Sequence, residues 1–136
     1  MSSEGLVTIA SKHSVAGTIN RLVSIVSANG LTVFARIDHA KGAREAGLEL
    51  RPTELLVFGH AKGGTPLMQD KQIAGLDLPL KALAWEDEHG AVWLTYHPGS
   101  WIASVHGLSP RSLTAVEAID RGLSALCTKA AGENGA

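Results

Sequence analysis

The segment His60–Pro66 contains residue types that can bind small anions. Two glycines, Gly63 and Gly64, lie between a predicted buried strand and a helix that Thr65 would cap. Backbone N–H groups of a glycine-rich turn can bind an anion, and Lys62 would add a positive charge. The spacing is not that of a nucleotide-binding P-loop, so a strand-to-helix turn with unusual glycine backbone angles is the structural alternative.

A second candidate is the neighbouring pair Asp38 and His39, at the start of a short helix predicted over residues 38–46. An acid beside a histidine suggests a general base oriented by a carboxylate. Adjacent side chains on a helix do not face each other, however. The structural alternative is therefore a helix cap at Asp38 followed by a partly exposed histidine.

Four histidines could converge on a common site, because His39, His60 and His97 lie near predicted strand ends, with His106 further along the chain. No pair of them has the local spacing of metal ligands, so we expect no metal and no cofactor. Tyr96 could line a pocket or belong to a hairpin core. The candidate ligand-binding residues are Asp38, His39, His60, Lys62, Gly63, Gly64, Thr65, Tyr96 and His97.

Composition limits the function classes that remain. The chain has 136 residues with 12 Lys+Arg and 13 Asp+Glu, giving a formal net charge of −1, so we expect no nucleic-acid partner. No apolar run approaches the ~20 residues of a membrane span, so we expect no membrane partner. The single cysteine, Cys127, cannot form an intramolecular disulfide, and with no export signal recognised it predicts a buried thiol in a cytoplasmic protein.

Hydrophobic periodicity predicts elements in the order β-α-β-α-β-α-β-β-α. Alternating or continuous apolar runs predict strands over residues 6–10, 31–37, 54–59, 80–86 and 92–96. A long C-terminal helix is expected over about 109–130, and a shorter one over 100–106. The order predicts a single layered α/β (α+β) domain over residues 1–136, with helices packed on a mixed β-sheet.

Several motifs follow one another in a specific order and spacing. They are Phe34-Ala35-Arg36-Ile37-Asp38-His39-Ala40, Gly47-Leu48, Leu50-Arg51-Pro52-Thr53-Glu54, Phe58-Gly59, Gly64-Thr65-Pro66-Leu67-Met68, Leu76-Asp77-Leu78-Pro79-Leu80-Lys81, Trp85-Glu86-Asp87 and Val92-Trp93-Leu94-Thr95-Tyr96. With these motifs, residues 5–108 resemble the bacterial domain-of-unknown-function family 302.

The resemblance implies an α/β fold with a mixed sheet, often in a homodimer, and it implies no established activity. The chain departs from the family pattern at two places. Family members usually carry Asn-Pro after the Phe-Gly pair, where this chain has His60-Ala61, and they often carry Asn-Asp after the tyrosine, where it has His97-Pro98. Any role of those family positions is therefore in doubt here.

Three functions remain open on sequence grounds. The leading hypothesis is a small cytoplasmic ligand-binding or accessory homodimer that holds a small anionic ligand near the glycine-rich segment. The second is an enzyme in which His39 or His60 acts as general base, with backbone N–H groups of the same segment stabilising negative charge. The third is a structural module that binds other proteins through an exposed apolar patch.

Overall fold

A computed structural model describes residues 5–132 and contains one five-stranded sheet. The remaining residues of the predicted domain, 1–4 and 133–136, lie outside the described part. The strands follow the spatial order β1-β5-β4-β3-β2. Their bounds are β1 Val7–Ser11, β2 Thr32–Asp38, β3 Thr53–Gly59, β4 Leu80–Glu86 and β5 Val92–Tyr96. The layered α/β (α+β) class and the order of strands and helices are confirmed.

All four strand pairings are antiparallel, which corrects the expectation of a mixed sheet. A parallel neighbour needs a connection that runs back along the whole sheet. Between β2 and β3, and again between β3 and β4, the helical connection instead returns to the end of the sheet that it left. Asp38 at the end of β2 thus pairs with Glu54, and Phe58 near the end of β3 pairs with Leu80.

Within residues 5–132, five α-helices accompany the sheet: α1 Val15–Ala28, α2 His39–Glu45, α3 Ala61–Asp70, α4 Gly99–His106 and α5 Leu113–Ala131. Two 3₁₀ segments, Gln72–Asp77 and Pro110–Ser112, precede β4 and α5 respectively. Helix α1 begins after Ser14, whose hydroxyl accepts the amide N–H of Gly17. Serine is among the residues preferred at this capping position.

The core lies between α1, α5 and one face of the sheet. Helix α1 buries residues at helical spacing, with Ile19, Leu22 and Val26 fully excluded from solvent. Alternate strand residues such as Leu56 and Phe58 meet them from the sheet. Complete burial of each such side chain contributes about 1.5–3 kcal/mol. The residues between them on the strands point away from α1 and α5 and are half-buried.

Helix α3 differs from the sequence prediction at its start. The sequence predicted a turn over 60–66 and a helix capped by Thr65, whereas α3 begins at Ala61 and includes Pro66 in its interior. The reason is His60, whose side chain accepts the amide N–H of Lys62 and so caps the helix earlier. Histidine is not among the usual capping residues, so the sequence pattern favoured the threonine instead.

Candidate functional site

A cavity of about 400 Å³ lies between α3, α5 and the sheet end formed by the start of β2 and the end of β3. Its wall is mostly apolar and includes Leu31, Phe34, Met68, Leu78, Leu80 and Leu126. Phe34 is 58% exposed and lies at a β-bulge in β2. This size and apolar wall are typical of pockets that bind small molecules.

Four of the residues predicted from sequence line this cavity: His60, Gly63, Gly64 and Thr65. Lys62 is not among the lining residues. The amides expected to bind an anion already have partners, because Gly63 and Gly64 donate to the His60 carbonyl. Lys62 donates its own amide N–H to the His60 ring. The glycine-rich segment therefore forms the first turn of a helix at the cavity wall and is not an open anion-binding turn.

Gly122 lies in the interior of α5 and also lines the cavity. A Cβ atom built at this position meets no atom within 4 Å. Glycine inside a helix costs about 1 kcal/mol relative to alanine, and here its missing side chain leaves the cavity wall open. The sequence places a helix-weakening glycine at this position, and the structure shows that this glycine keeps space open at the cavity wall.

Asp38 and His39 do not belong to the cavity. Asp38 pairs with Glu54 at one end of the sheet, whereas Thr32 at the other end of β2 pairs with Gly59. The rise of an extended chain over these seven residues separates the two ends by roughly 20 Å. The Asp38 carboxylate accepts the amide N–H of Lys41 at 2.9 Å, so it caps α2. The alternative of a helix cap at Asp38 is confirmed. Asp38 and His39 do not share a site with His60, which corrects that expectation.

His97 follows β5 and lies against α4. Its ring stacks on Trp101, with ring centroids 3.7 Å apart, and its Nδ1 hydrogen-bonds to the carbonyl of Gly5. Only glycine fits at position 5, because its φ is +77° and a Cβ atom would fall 2.3 Å from the Trp101 ring. His97 is thus held outside the large cavity by packing that the sequence did not indicate.

His106 is buried and pairs with Asp77, with 2.6 Å between Nε2 and Oδ2. Asp77 and His97 also line a small cavity of about 30 Å³, together with Lys81. Two of the four histidines therefore meet around Asp77, while His39 lies at the opposite sheet end and His60 lines the large cavity. Among residues 5–132, no group of three or more histidine, cysteine or acidic residues could hold a metal ion.

Tyr96 and Cys127 belong to the core between β5 and α5. Burial raises the pKa of the Tyr96 hydroxyl, with further contributions from Cys127 and Asp120, and a hydrogen bond with Ser124 opposes the shift. Burial also raises the pKa of the Cys127 thiol to about 12. The predicted buried thiol is confirmed, because Cys127 is fully excluded from solvent. A thiol that is protonated at neutral pH is a poor nucleophile. Tyr96 is a core residue and does not line the large cavity.

The chemistry of the large cavity favours binding over catalysis. Within the part of the chain that the structure describes, its lining contains one histidine and one threonine, with no acidic residue and no cysteine. A general base that acts on a bound molecule usually has an orienting partner nearby, and the lining supplies none. The arrangement can hold an apolar molecule away from water and contact it through a few polar groups on α3.

Comparisons with known proteins agree on the fold. The model of the family described as "Domain of unknown function DUF302" matches residues 7–126. A crystal structure of an uncharacterized conserved DUF302 protein from Bacillus stearothermophilus superposes with a TM-score of 0.83, over 96% of this chain and 100% of that one. Sequence identity is 17%, so this likeness concerns the fold alone. The family match extends past residue 108 into α5, which the sequence resemblance did not cover.

Two curated relatives carry the name "Fluoride-specific ion channel FluC 1". The protein from Brucella suis biovar 1 (strain 1330) is 50% identical over 129 residues, which are 95% of this chain and 51% of the relative. The one from Brucella abortus biovar 1 (strain 9-941) is 50% identical over 129 residues and 48% of its length. The chain spans about half the length of these relatives. Among the helices of residues 5–132, none combines the length and hydropathy needed to cross a bilayer.

Proposed function

This chain is a member of the DUF302 family, whose description assigns no function, and we propose that it is a ligand-binding module for a small, mainly apolar molecule. The single observation that carries the proposal is the cavity between α3 and α5, with its apolar wall and a volume of about 400 Å³. Gly122 supports it, because α5 carries a destabilising glycine where a side chain would project into open space.

The test is a fluorescence titration with N-phenyl-1-naphthylamine, a neutral apolar probe that brightens in a dry pocket. We expect saturable binding of one probe per chain, together with extra mass from any retained ligand in native mass spectrometry of protein purified without a metal-affinity tag. A linear, unsaturable signal would contradict the proposal, since exposed apolar surface alone gives no defined stoichiometry.

An enzyme built on a histidine base has less support. His39 lies at the opposite end of the sheet from the cavity. His60 lines the cavity, but none of the described acidic residues or cysteines lines it with His60. A bound molecule would therefore meet one imidazole ring with no carboxylate to orient it, which suits recognition better than proton transfer.

A second candidate function is that of an accessory domain for ion transport. It is favoured by the two Brucella relatives, in which a segment half identical to this chain makes up about half of a protein named as a fluoride-specific ion channel. Removing that segment from the Brucella suis relative would then change fluoride efflux from liposomes, and adding back the present chain would restore it. Unchanged efflux without the segment would contradict an accessory role.

We also propose that the chain forms a homodimer in the cytoplasm through the sheet face that points away from α1 and α5. Half-buried apolar side chains on that face include Leu55, Val57, Leu83 and Trp85. Large apolar patches of this kind mark association surfaces more often than isolated residues do. Native mass spectrometry should show a dimer that Leu83→Lys converts to a monomer, and a monomeric wild-type chain would overturn the proposal.

A further inference from the structure

The polar groups of the large cavity lie on one side of it. Among the described residues, two polar side chains line the cavity: that of His60, which directly precedes α3, and that of Thr65, in the first half of α3. Both residues are exposed to solvent. The walls formed by α5 and the strand ends contribute apolar side chains and glycine. A ligand in this cavity therefore has an apolar environment along most of its length and polar contacts at one end.

The hydrogen bond at the start of α3 fixes which His60 nitrogen can act as a donor in the neutral ring. The Nδ1 atom lies 3.1 Å from the amide nitrogen of Lys62, and an amide N–H can only donate. Nδ1 must therefore accept, which leaves the proton of the neutral ring on Nε2. His60 thus offers an N–H donor at the polar edge of the cavity, and a bound molecule needs an acceptor to use it.

Charge in the lining favours the same kind of ligand. Of residues 5–132, no aspartate or glutamate lines the cavity, so none of these residues places a negative charge in its wall that would repel an anionic group. Lys62 lies two residues after His60 and is exposed, so it adds positive charge near the same edge. An anionic acceptor also makes a stronger hydrogen bond with an N–H donor than a neutral acceptor does.

We propose that the ligand is an amphiphile: an apolar ring system or chain that fills the cavity and ends in an anionic acceptor bound by His60 Nε2. This inference rests on the proposed ligand-binding function and names the class of its ligand. It assigns His60 to recognition of the head group and α5 with the strand ends to recognition of the apolar body. The family departure at His60-Ala61 then specifies the head group in this chain.

Two probes with the same apolar body test the assignment. N-phenyl-1-naphthylamine and 1-anilinonaphthalene-8-sulfonate differ by one sulfonate group, which supplies the anionic acceptor. We expect the wild-type chain to bind the sulfonate about tenfold more tightly, the factor typical of one hydrogen bond to a charged group. His60→Asn should remove this preference, because asparagine caps a helix but is too short to reach the head group.

The controls separate the two levels of the proposal. His60→Asn should bind the neutral probe as the wild type does, and Gly122→Leu should weaken both probes. Equal affinity of the wild type for both probes, or a preference that survives His60→Asn, would overturn the amphiphile assignment and leave the apolar cavity in place. Failure of both probes to bind, or binding of both that ignores Gly122→Leu, would instead overturn the ligand-binding function itself.

Discussion

Two strand-to-helix turns of this molecule have the same construction and different surroundings. After β2, Asp38 caps α2 by accepting the amide N–H of Lys41. After β3, His60 caps α3 by accepting the amide N–H of Lys62. Each turn places a capping side chain, a lysine and one or more glycines within a few residues of a strand end. The cavity of about 400 Å³ borders the second turn and not the first, since α5 packs against α3 and supplies the opposite wall.

The difference shows that the cavity comes from tertiary packing and not from the turn itself. The chemical groups near the two turns are similar, so the local sequence predicts a binding site at either turn equally well. Helix α5 joins the second turn from more than fifty residues further along the chain. A binding site at a strand end therefore depends on which distant element covers that end.

The largest expected effect comes from filling the cavity. Gly122→Leu should weaken N-phenyl-1-naphthylamine binding by about tenfold or more, because the new side chain projects into space that the probe needs. Gly42→Leu is the matched control, since Gly42 is also a helix glycine whose Cβ would meet nothing within 4 Å, but it lies in α2. Equal loss of binding in both variants would show that the comparison of the two turns is wrong.

The next effect concerns the contacts that keep α3 and α5 together. Asp70, at the end of α3, accepts hydrogen bonds from the Ser109 amide at 2.7 Å and from the Ser112 hydroxyl at 2.7 Å, just before α5 begins. Asp70→Ala should lower the melting temperature and weaken probe binding several-fold, because it frees one cavity wall from the other. Thermal melts and probe titrations on the same sample measure both. Unchanged binding would mean that α3 and α5 hold their spacing without Asp70.

A smaller effect should follow at the other turn. Asp38→Ala removes the cap of α2 and should reduce the free energy of unfolding by about 1 kcal/mol, measured by urea denaturation. Probe affinity should stay at the wild-type value, because Asp38 lies at the opposite end of the sheet from the cavity. Weaker binding of the probe by this variant would place Asp38 in the binding site and contradict the account.

The smallest effect is a pH dependence limited to acid solution. The hydrogen bond from Ser112, followed by those from Ser109, holds the pKa of Asp70 below its ordinary value of 3.8. A carboxyl group whose pKa is lower in the folded chain than in the unfolded chain stabilises the fold at any pH above its ordinary pKa. This stabilisation is lost as the pH falls from the ordinary pKa through the lower pKa of the folded chain. Melting temperatures of Asp70→Asn should therefore decline less steeply below about pH 4 than those of the wild type. Identical slopes would contradict the role given to Ser112.

The strands and the core could be predicted from sequence because their signals are local. Val15, Ile19, Leu22 and Val26 recur at helical spacing, and the structure buries all four on α1. The antiparallel pairing could not be obtained in this way. It depends on each helical connection returning to the sheet end that it left, which neither periodicity nor turn residues encode.

The candidate site was predicted only in part, for a related reason. His60, Gly63, Gly64 and Thr65 lie in one segment, so their neighbourhood follows from the sequence. Asp38 and His39 were assigned to the same site because they also follow a strand, although the two strands are antiparallel and end on opposite sides. Gly122 could have been identified from the sequence, since a glycine in the interior of a long amphipathic helix indicates a place where a larger side chain would obstruct packing or binding.

The most direct test of the central claim follows backbone amide resonances while N-phenyl-1-naphthylamine is titrated into the chain. The account expects saturable shifts at Gly59, Gly63, Gly64 and Gly122, which all line the cavity. It expects the amide resonances of His39 and Lys41, at the start of α2, to remain unshifted. Shifts that cluster at α2, or that spread evenly over the surface without saturation, would contradict a ligand cavity between α3 and α5.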